Sequence, residues 1–199
     1  MNALANDKVA NYLNERFVSA YQKVGTFRVV NGQKQGGNVA SYFCRPNGTV
    51  LHAVAGPVNA ETFLAEARWA VELNKSALTA ASNLANGNLD EVKFRKAVKQ
   101  AHAERYLLEM NPAMVEASLR GMKRSLTDPN WAYRKESTPM VVALPTMSPH
   151  GASDRAKVHW LLQAHTIPNQ SLPPLATVSR AVWEDVLGER FSSLPVLGR

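Results

Sequence analysis

Val39-Ala40-Ser41-Tyr42-Phe43-Cys44-Arg45-Pro46-Asn47-Gly48-Thr49-Val50-Leu51-His52-Ala53-Val54-Ala55-Gly56 reads as two antiparallel strands joined by a turn. Pro46 pre-sets φ for the first central turn position, Asn47 tolerates the bridge or left-handed region, and Gly48 takes a positive φ without a Cβ penalty. Val39, Tyr42, Phe43, Thr49, Val50 and Val54 are the β-branched and aromatic residues that suit a pleated, half-buried surface.

Working outward towards the N-terminus, Asn6-Asp7 followed by Val9, Tyr12, Leu13 and Phe17 predicts an amphipathic helix with a capping residue and an acid in its first turn. Residues 17–24 then alternate like a strand that Gly25 ends. Residues 26–38, with Gly32, Gly36 and Gly37 among Gln and Lys, predict a loop whose 26–30 portion is extended or a short helical turn. Towards the C-terminus, Asn59 caps a helix in which Val58 staples onto Phe63, and Phe63, Ala67, Ala70 and Val71 share a face. Residues 74–88 are rich in Ala, Ser and Asn; they continue that helix or form a linker, and the domain boundary is placed there.

From Asp90 the chain turns helical and basic. Val92, Phe94, Ala97, Val98, Ala101 and Leu108 supply an apolar side, while Lys93, Arg95, Lys96, Lys99 and Arg105 supply a positive one. Asn111-Pro112 opens a second helix over Val115, Leu119, Met122 and Leu126. Residues 140–144, bracketed by Pro139 and Pro145, form a buried strand or an extended segment packed on the helices. Ser153 begins another helix through Val158, Leu161 and Leu162. Residues 167–175, with Pro168, Pro173 and Pro174, predict a stiff extended connection. A last helix carries Val178, Ala181, Val182 and Val186 and ends near Gly188.

The 199 residues, 45% of them hydrophobic, suit one large domain or a domain with an extension. The single cysteine excludes an internal disulfide, a CxxC redox pair and a multi-cysteine zinc site. The net charge of +7 admits acidic partners. The best basic patch joins the helix after Asp90 to Arg120, Lys123, Arg124, Arg134 and Lys135, with Trp131 and Tyr133 able to stack on bases. Asp90, Glu91, Glu104 and Glu109 interleave with it, however, so a solvated helical face is the preferred reading and nucleic-acid binding is disfavoured. No run approaches a membrane span and no signal pattern opens the chain, which places it in the cytoplasm by default, without a membrane partner.

Cys44 is the candidate reactive thiol, with Arg45 beside it to favour the thiolate; a small buried strand residue is the preferred reading. His52 pairs with it across the strands only if the register allows, and no third group is evident to orient such a pair. His102, His150, His159 and His165 show no HxxxH or HExxH spacing, so no metal site is assigned, and His159 beside Trp160 is expected at a helix surface or core edge. Residues 33–38 lack both dinucleotide and phosphate-loop glycine patterns. Trp69, Trp160 and Trp183 are expected as packing anchors. No catalytic residue and no cofactor is assigned.

The order of elements in residues 7–75 (helix, strand, glycine-rich connection, strand, turn, strand, helix) resembles the greater part of a thioredoxin-like fold. Three passages carry the resemblance: Val9-Ala10 with Tyr12-Leu13-Asn14 and Phe17-Val18, the Tyr42 to Leu51 hairpin with its Pro46-Asn47-Gly48 turn, and Gly56 followed by the helix from Asn59 to Val71. What the resemblance implies is limited by departures. The CxxC that heads the first helix in that family is missing, and Val39 stands where the family has a cis-proline; a cis bond there would cost about 3 kcal/mol, so trans is expected. The family's first strand is missing too, which leaves unpaired edges in mid-sheet. A longer product with an upstream strand and CxxC would fill that gap and is the favoured resolution. Residues 140–144 filling it, or residues 17–24 pairing elsewhere, are the others.

The expectation is therefore an α/β protein: an incomplete thioredoxin-like mixed sheet flanked by helices over residues 1–80, and a mainly α-helical extension over 88–199 packed on it. Its expected function is that of a redox-inactive binding or scaffold module for a protein or peptide partner. Gly37, Asn38 and Val39 form the surface where relatives hold extended substrates. The rival readings are a thiol-disulfide oxidoreductase whose dithiol lies upstream, and a basic helical nucleic-acid binder.

Overall fold

The computed structural model describes residues 3–22, 28–30, 33–35, 38–82, 89–110, 153–166 and 171–189. Helix α1 (Asp7–Arg16) starts where Asn6 accepts the Lys8 amide at 3.1 Å and buries Val9. Residues 17–22, expected to be the start of a strand, pair with nothing in the described structure, and Val18 and Tyr21 are fully exposed. Alternation makes a strand only against a pairing edge and a covered face; these residues have no pairing edge among the described residues, and of Phe17, Val18 and Tyr21 only Phe17, tilted against Phe43 at 5.4 Å, is covered. Strands β1 (Arg28–Val30) and β2 (Gln33–Gln35) pair antiparallel.

The 39–56 stretch forms the second hairpin, β3 (Ala40–Cys44) and β4 (Val50–Ala55). Its turn closes as the residues dictate: the Gly48 amide bonds the Arg45 carbonyl at 2.9 Å, Gly48 sits at φ 79°, and Asn47 Oδ1 accepts from the Thr49 amide and hydroxyl. A bulge between Phe43 and Cys44 sets Phe43 opposite His52 and Cys44 opposite Val50. Cys44 and His52 are therefore not cross-strand partners. All pairing among the described strands is antiparallel, in two two-stranded units, so the expected mixed sheet is absent there. A mixed sheet needs a further strand, and residues 17–22 do not supply it.

Gly56, at φ 77°, turns the chain into α2 (Ala60–Ala81), where Asn59 accepts the Thr62 amide at 2.8 Å and Val58 packs in the cluster around Phe63. The helix runs unbroken to Ala81, so the Ala-rich passage continues it as far as that residue. Helix α3 (Glu91–Met110) starts on Asp90, whose Oδ1 accepts two amides. Its buried face runs through Phe94, Val98, His102 and Tyr106, and Val92 and Leu108, expected on that face, are exposed because they lie off this line of four-residue steps. Helix α4 (Asp154–His165) is capped by Ser153 and packs on α3 and β4. In the described part of the proline-rich connection, residues 171–174, the Val50 amide bonds Pro173 O and the Leu175 amide bonds Gly48 O, pinning this strap to the start of β4. Helix α5 (Leu175–Ala181) passes into one π-helical turn at Val182–Val186, and Gly188 follows at φ 66°. The helix expected after Pro112 and the run at 140–144 lie outside the described residues.

The result is a mixed α/β, mainly helical architecture with a short sheet flanked by helices. Among the described residues no helix is long and apolar enough to cross a membrane. Strand β4 is the hub: Val50 and Ala53 join one apolar cluster, Leu51 a second and Val54 a third. Because Asn59 satisfies an otherwise orphaned amide at the head of α2, Asn59→Ala is expected to lower stability by about 1 kcal/mol in urea denaturation; an unchanged midpoint would show that the cap contributes nothing.

Candidate functional site

Each of the elements packed around β4 carries a polar residue within its apolar face. His52 stands on β4, Glu66 on α2, His102 on α3 and His159 on α4, and each is at most 2% exposed. The three imidazole rings gather at centroid separations of 5.1 to 5.9 Å, and Trp69 of α2 meets all three edge-on at 4.7 to 5.2 Å. One nitrogen of each histidine lies within 4.8 Å of one nitrogen of each of the others.

Hydrogen bonding fixes which nitrogen carries the proton. His102 Nε2 is 2.8 Å from the Leu51 carbonyl, which can only accept, so Nε2 is the N–H and Nδ1 holds a lone pair. His102 Nδ1 is 2.9 Å from His159 Nδ1, so His159 must donate from Nδ1, which leaves its Nε2 as a lone pair. His52 Nε2 donates to Glu66 Oε2 at 2.9 Å and leaves Nδ1 as a lone pair. His52 Nδ1 and His159 Nε2 are both buried and meet no partner among the described residues. Such orphaned acceptors cost about 1–3 kcal/mol each.

Charge is distributed unevenly. Burial, joined by the neighbouring His52, pushes His102 down to about 3 from the usual 6.5, against the Leu51 carbonyl, and burial holds His159 lower still. His52 is also lowered by burial, which outweighs its bond to Glu66. The rings are therefore neutral at pH 7. Burial works to raise Glu66, but the His52 hydrogen bond and the Arg105 and Arg155 charges hold it below the ordinary carboxylate value. Arg105 Nη2 and Arg155 Nε reach its Oε1 at 3.2 and 3.3 Å, and Arg155 also donates to Glu109 at 2.8 Å. Two carboxylates thus balance two guanidiniums beside three uncharged rings. A cavity of about 220 Å³, lined by His52, Pro57, Thr62, Glu66, Asp154 and Arg155 among others, opens beside this carboxylate.

Of the candidate site residues read from the sequence, His52 lies in this cluster, whereas Cys44, Asn38 and Val39 lie elsewhere. Cys44 is half-buried beside the Val50 cluster, and burial pushes its thiol up, away from thiolate reactivity. Asn38 donates to Glu189 at 2.8 Å, the Val39 carbonyl accepts the Gly56 amide while its side chain is about half exposed, and Gly37 lies outside the described residues. Trp69 is a packing residue, as expected, but what it packs on is the histidine cluster. That cluster has no short-range spacing, since its members come from a strand and two helices. The available signal is that His102 keeps step with Phe94, Val98 and Tyr106, and Glu66 with Phe63, Ala67 and Ala70, polar residues set in an apolar stripe.

Stability should depend on pH with a definite sign. Histidines that are neutral when buried take up protons on unfolding below about pH 6.5, so the unfolded chain binds more protons and acid destabilises the native state. For His102 the loss continues down to about 3, and each ring contributes up to ~1.4 kcal/mol per pH unit within its window. The lowered Glu66 acts in the same direction below its ordinary value. Urea midpoints of the ligand-free chain should fall steeply between pH 6.5 and 4, whereas a flat profile would mean that the rings are charged in the native state. Comparison with known proteins yields no match to a family model, to a curated protein or to a solved structure, which leaves this geometry as the basis for a functional reading.

Proposed function

We propose that this chain is a redox-inactive binding module whose ligand site is the buried histidine cluster, reached from the cavity beside Glu66. The observation that carries the reading is the pair of buried imidazole lone pairs, His52 Nδ1 and His159 Nε2, that no donor among the described residues meets. A polar group retained inside a core without a partner destabilises the fold, and a ligand that uses it accounts for its retention. The redox-inactive part rests on the single cysteine and on a thiol made less acidic by burial. A thioredoxin-like origin for residues 1–80 remains part of the proposal, supported by the order β3, turn, β4, α2. The Asn38–Val39 surface has less behind it as a peptide site, because the Asn38 side chain is already committed to Glu189.

Two measurements test this. The chain should not reduce insulin disulfides, and Cys44→Ser should leave that baseline unchanged; turnover that depends on Cys44 would reject the redox-inactive reading. His52→Phe removes an orphaned nitrogen and one hydrogen bond, while Glu66 keeps both arginines and the new ring can stack on Phe43 as His52 does at 5.9 Å. The donor lost from a buried carboxylate outweighs the relieved nitrogen, so ligand-free stability should fall by about 1–3 kcal/mol. A loss above about 3 kcal/mol would assign the cluster to holding the fold together.

A further inference from the structure

We propose that the ligand is a divalent transition-metal cation, held by Nδ1 of His52, His102 and His159, with Glu66, the Leu51 carbonyl and Gln163 as the outer partners that fix the rings. This rests on the preceding reading of the cluster as the ligand site. Three neutral imidazoles are a borderline-soft donor set that suits zinc, cobalt, nickel or copper and not magnesium or calcium, which take oxygen ligands. Two of the three rings already have the outer contact that metal-bound histidines use. His52 turns its N–H to a carboxylate and His102 turns its N–H to a backbone carbonyl, and in both the lone pair left for a metal is Nδ1.

The spacing is compatible. Metal–nitrogen bonds of about 2.0–2.1 Å at tetrahedral angles place nitrogens roughly 3.3 Å apart. His102 Nδ1 and His159 Nδ1 stand at 2.9 Å, and the donor atoms of all three residues lie within 4.8 Å of one another, a mismatch that small imidazole rotations close. Three protein nitrogens leave a fourth position for water or a small anion. The carboxylates of Glu66 and Glu109 offset Arg105 and Arg155, so no net positive charge from those four side chains opposes the cation.

Proton placement supplies an independent argument. When His159 Nδ1 binds the cation, the proton it gave to His102 leaves and one is taken up at Nε2, so the ring stays neutral and no net proton is released. The new Nε2–H needs an acceptor. Gln163 Oε1 is buried without a partner, and Gln163 follows His159 by one turn of α4 on the same side of the helix. A single cation therefore satisfies His52 Nδ1 directly and pairs His159 Nε2 with Gln163 Oε1, which accounts for three of the five buried side-chain atoms without a partner among the described residues.

The test uses the full, untagged chain after chelator treatment, titrated with zinc by calorimetry and with cobalt by visible absorption. One equivalent should bind, and cobalt should give the intense visible bands of a four-coordinate site. His159→Leu should weaken zinc at least 100-fold. Because that variant can also perturb folding, Gln163→Leu is the second arm: affinity should fall 10- to 100-fold, while Gln163→Glu, which keeps the acceptor, restores it. No binding by the folded chain, an octahedral cobalt spectrum, or an affinity indifferent to both His159→Leu and Gln163→Leu would overturn the proposal. Failure here with only the mild loss in His52→Phe would leave the cluster a site for a different ligand; failure here with a strongly destabilised His52→Phe would remove both readings.

Discussion

A carboxylate at 2% exposure is the constraint around which this molecule is arranged. Taking Glu66 out of water costs several kcal/mol unless donors surround it. They come from three different elements: His52 from β4, Arg105 from α3 and Arg155 from α4, while Glu66 itself belongs to α2. Satisfying one anion therefore fixes the mutual position of a strand and three helices. It also orients His52, because an imidazole that gives its Nε2 proton to a carboxylate has no freedom left in its ring plane.

The apolar packing is organised to match. Strand β4 is buried along most of its length and feeds three hydrophobic clusters, while His52 in its middle faces Phe43, Trp69 and the other two histidines. The bulge after Phe43 makes this possible, since it keeps Phe43 opposite His52 and moves Cys44 opposite Val50. Arg105 adds a second tie by lying over the Trp69 ring at 5.1 Å, so the indole is held between a guanidinium and the rings.

What could be read in advance was what short-range chemistry decides. The Pro46-Asn47-Gly48 turn, the caps at Asn6, Asn59 and Ser153, and the proline-stiffened strap all depend on contacts within a few residues or on fixed φ angles, and all are where the residues place them. Residues 17–22 misled because alternation states which side chains could face a core, not whether a neighbouring strand exists to define one. The histidine cluster was invisible for a related reason. Motif spacing finds ligands that share a helical turn, whereas His52, His102 and His159 are 50 and 57 residues apart in steps along the chain and meet only because Glu66 and the three apolar clusters bring β4, α3 and α4 together. Their one local trace, a polar residue in phase with buried apolar ones, also marks ordinary satisfied core polar groups.

The two halves of the cluster differ in a way that bears on its purpose. Around Glu66 both carboxylate oxygens are matched by donors, the finish expected of a network that serves the fold. A few ångströms away, across the same histidine rings, His52 Nδ1, His159 Nε2 and Gln163 Oε1 are all acceptors with no donor among the described residues. A sequence under pressure for stability alone could close that half with leucines, which pack without orphaned lone pairs and without the acid sensitivity of buried imidazoles. The closed half thus reads as support and the open half as what it supports: the fold holds Glu66 so that the histidines present lone pairs in a fixed geometry to something the chain does not itself provide.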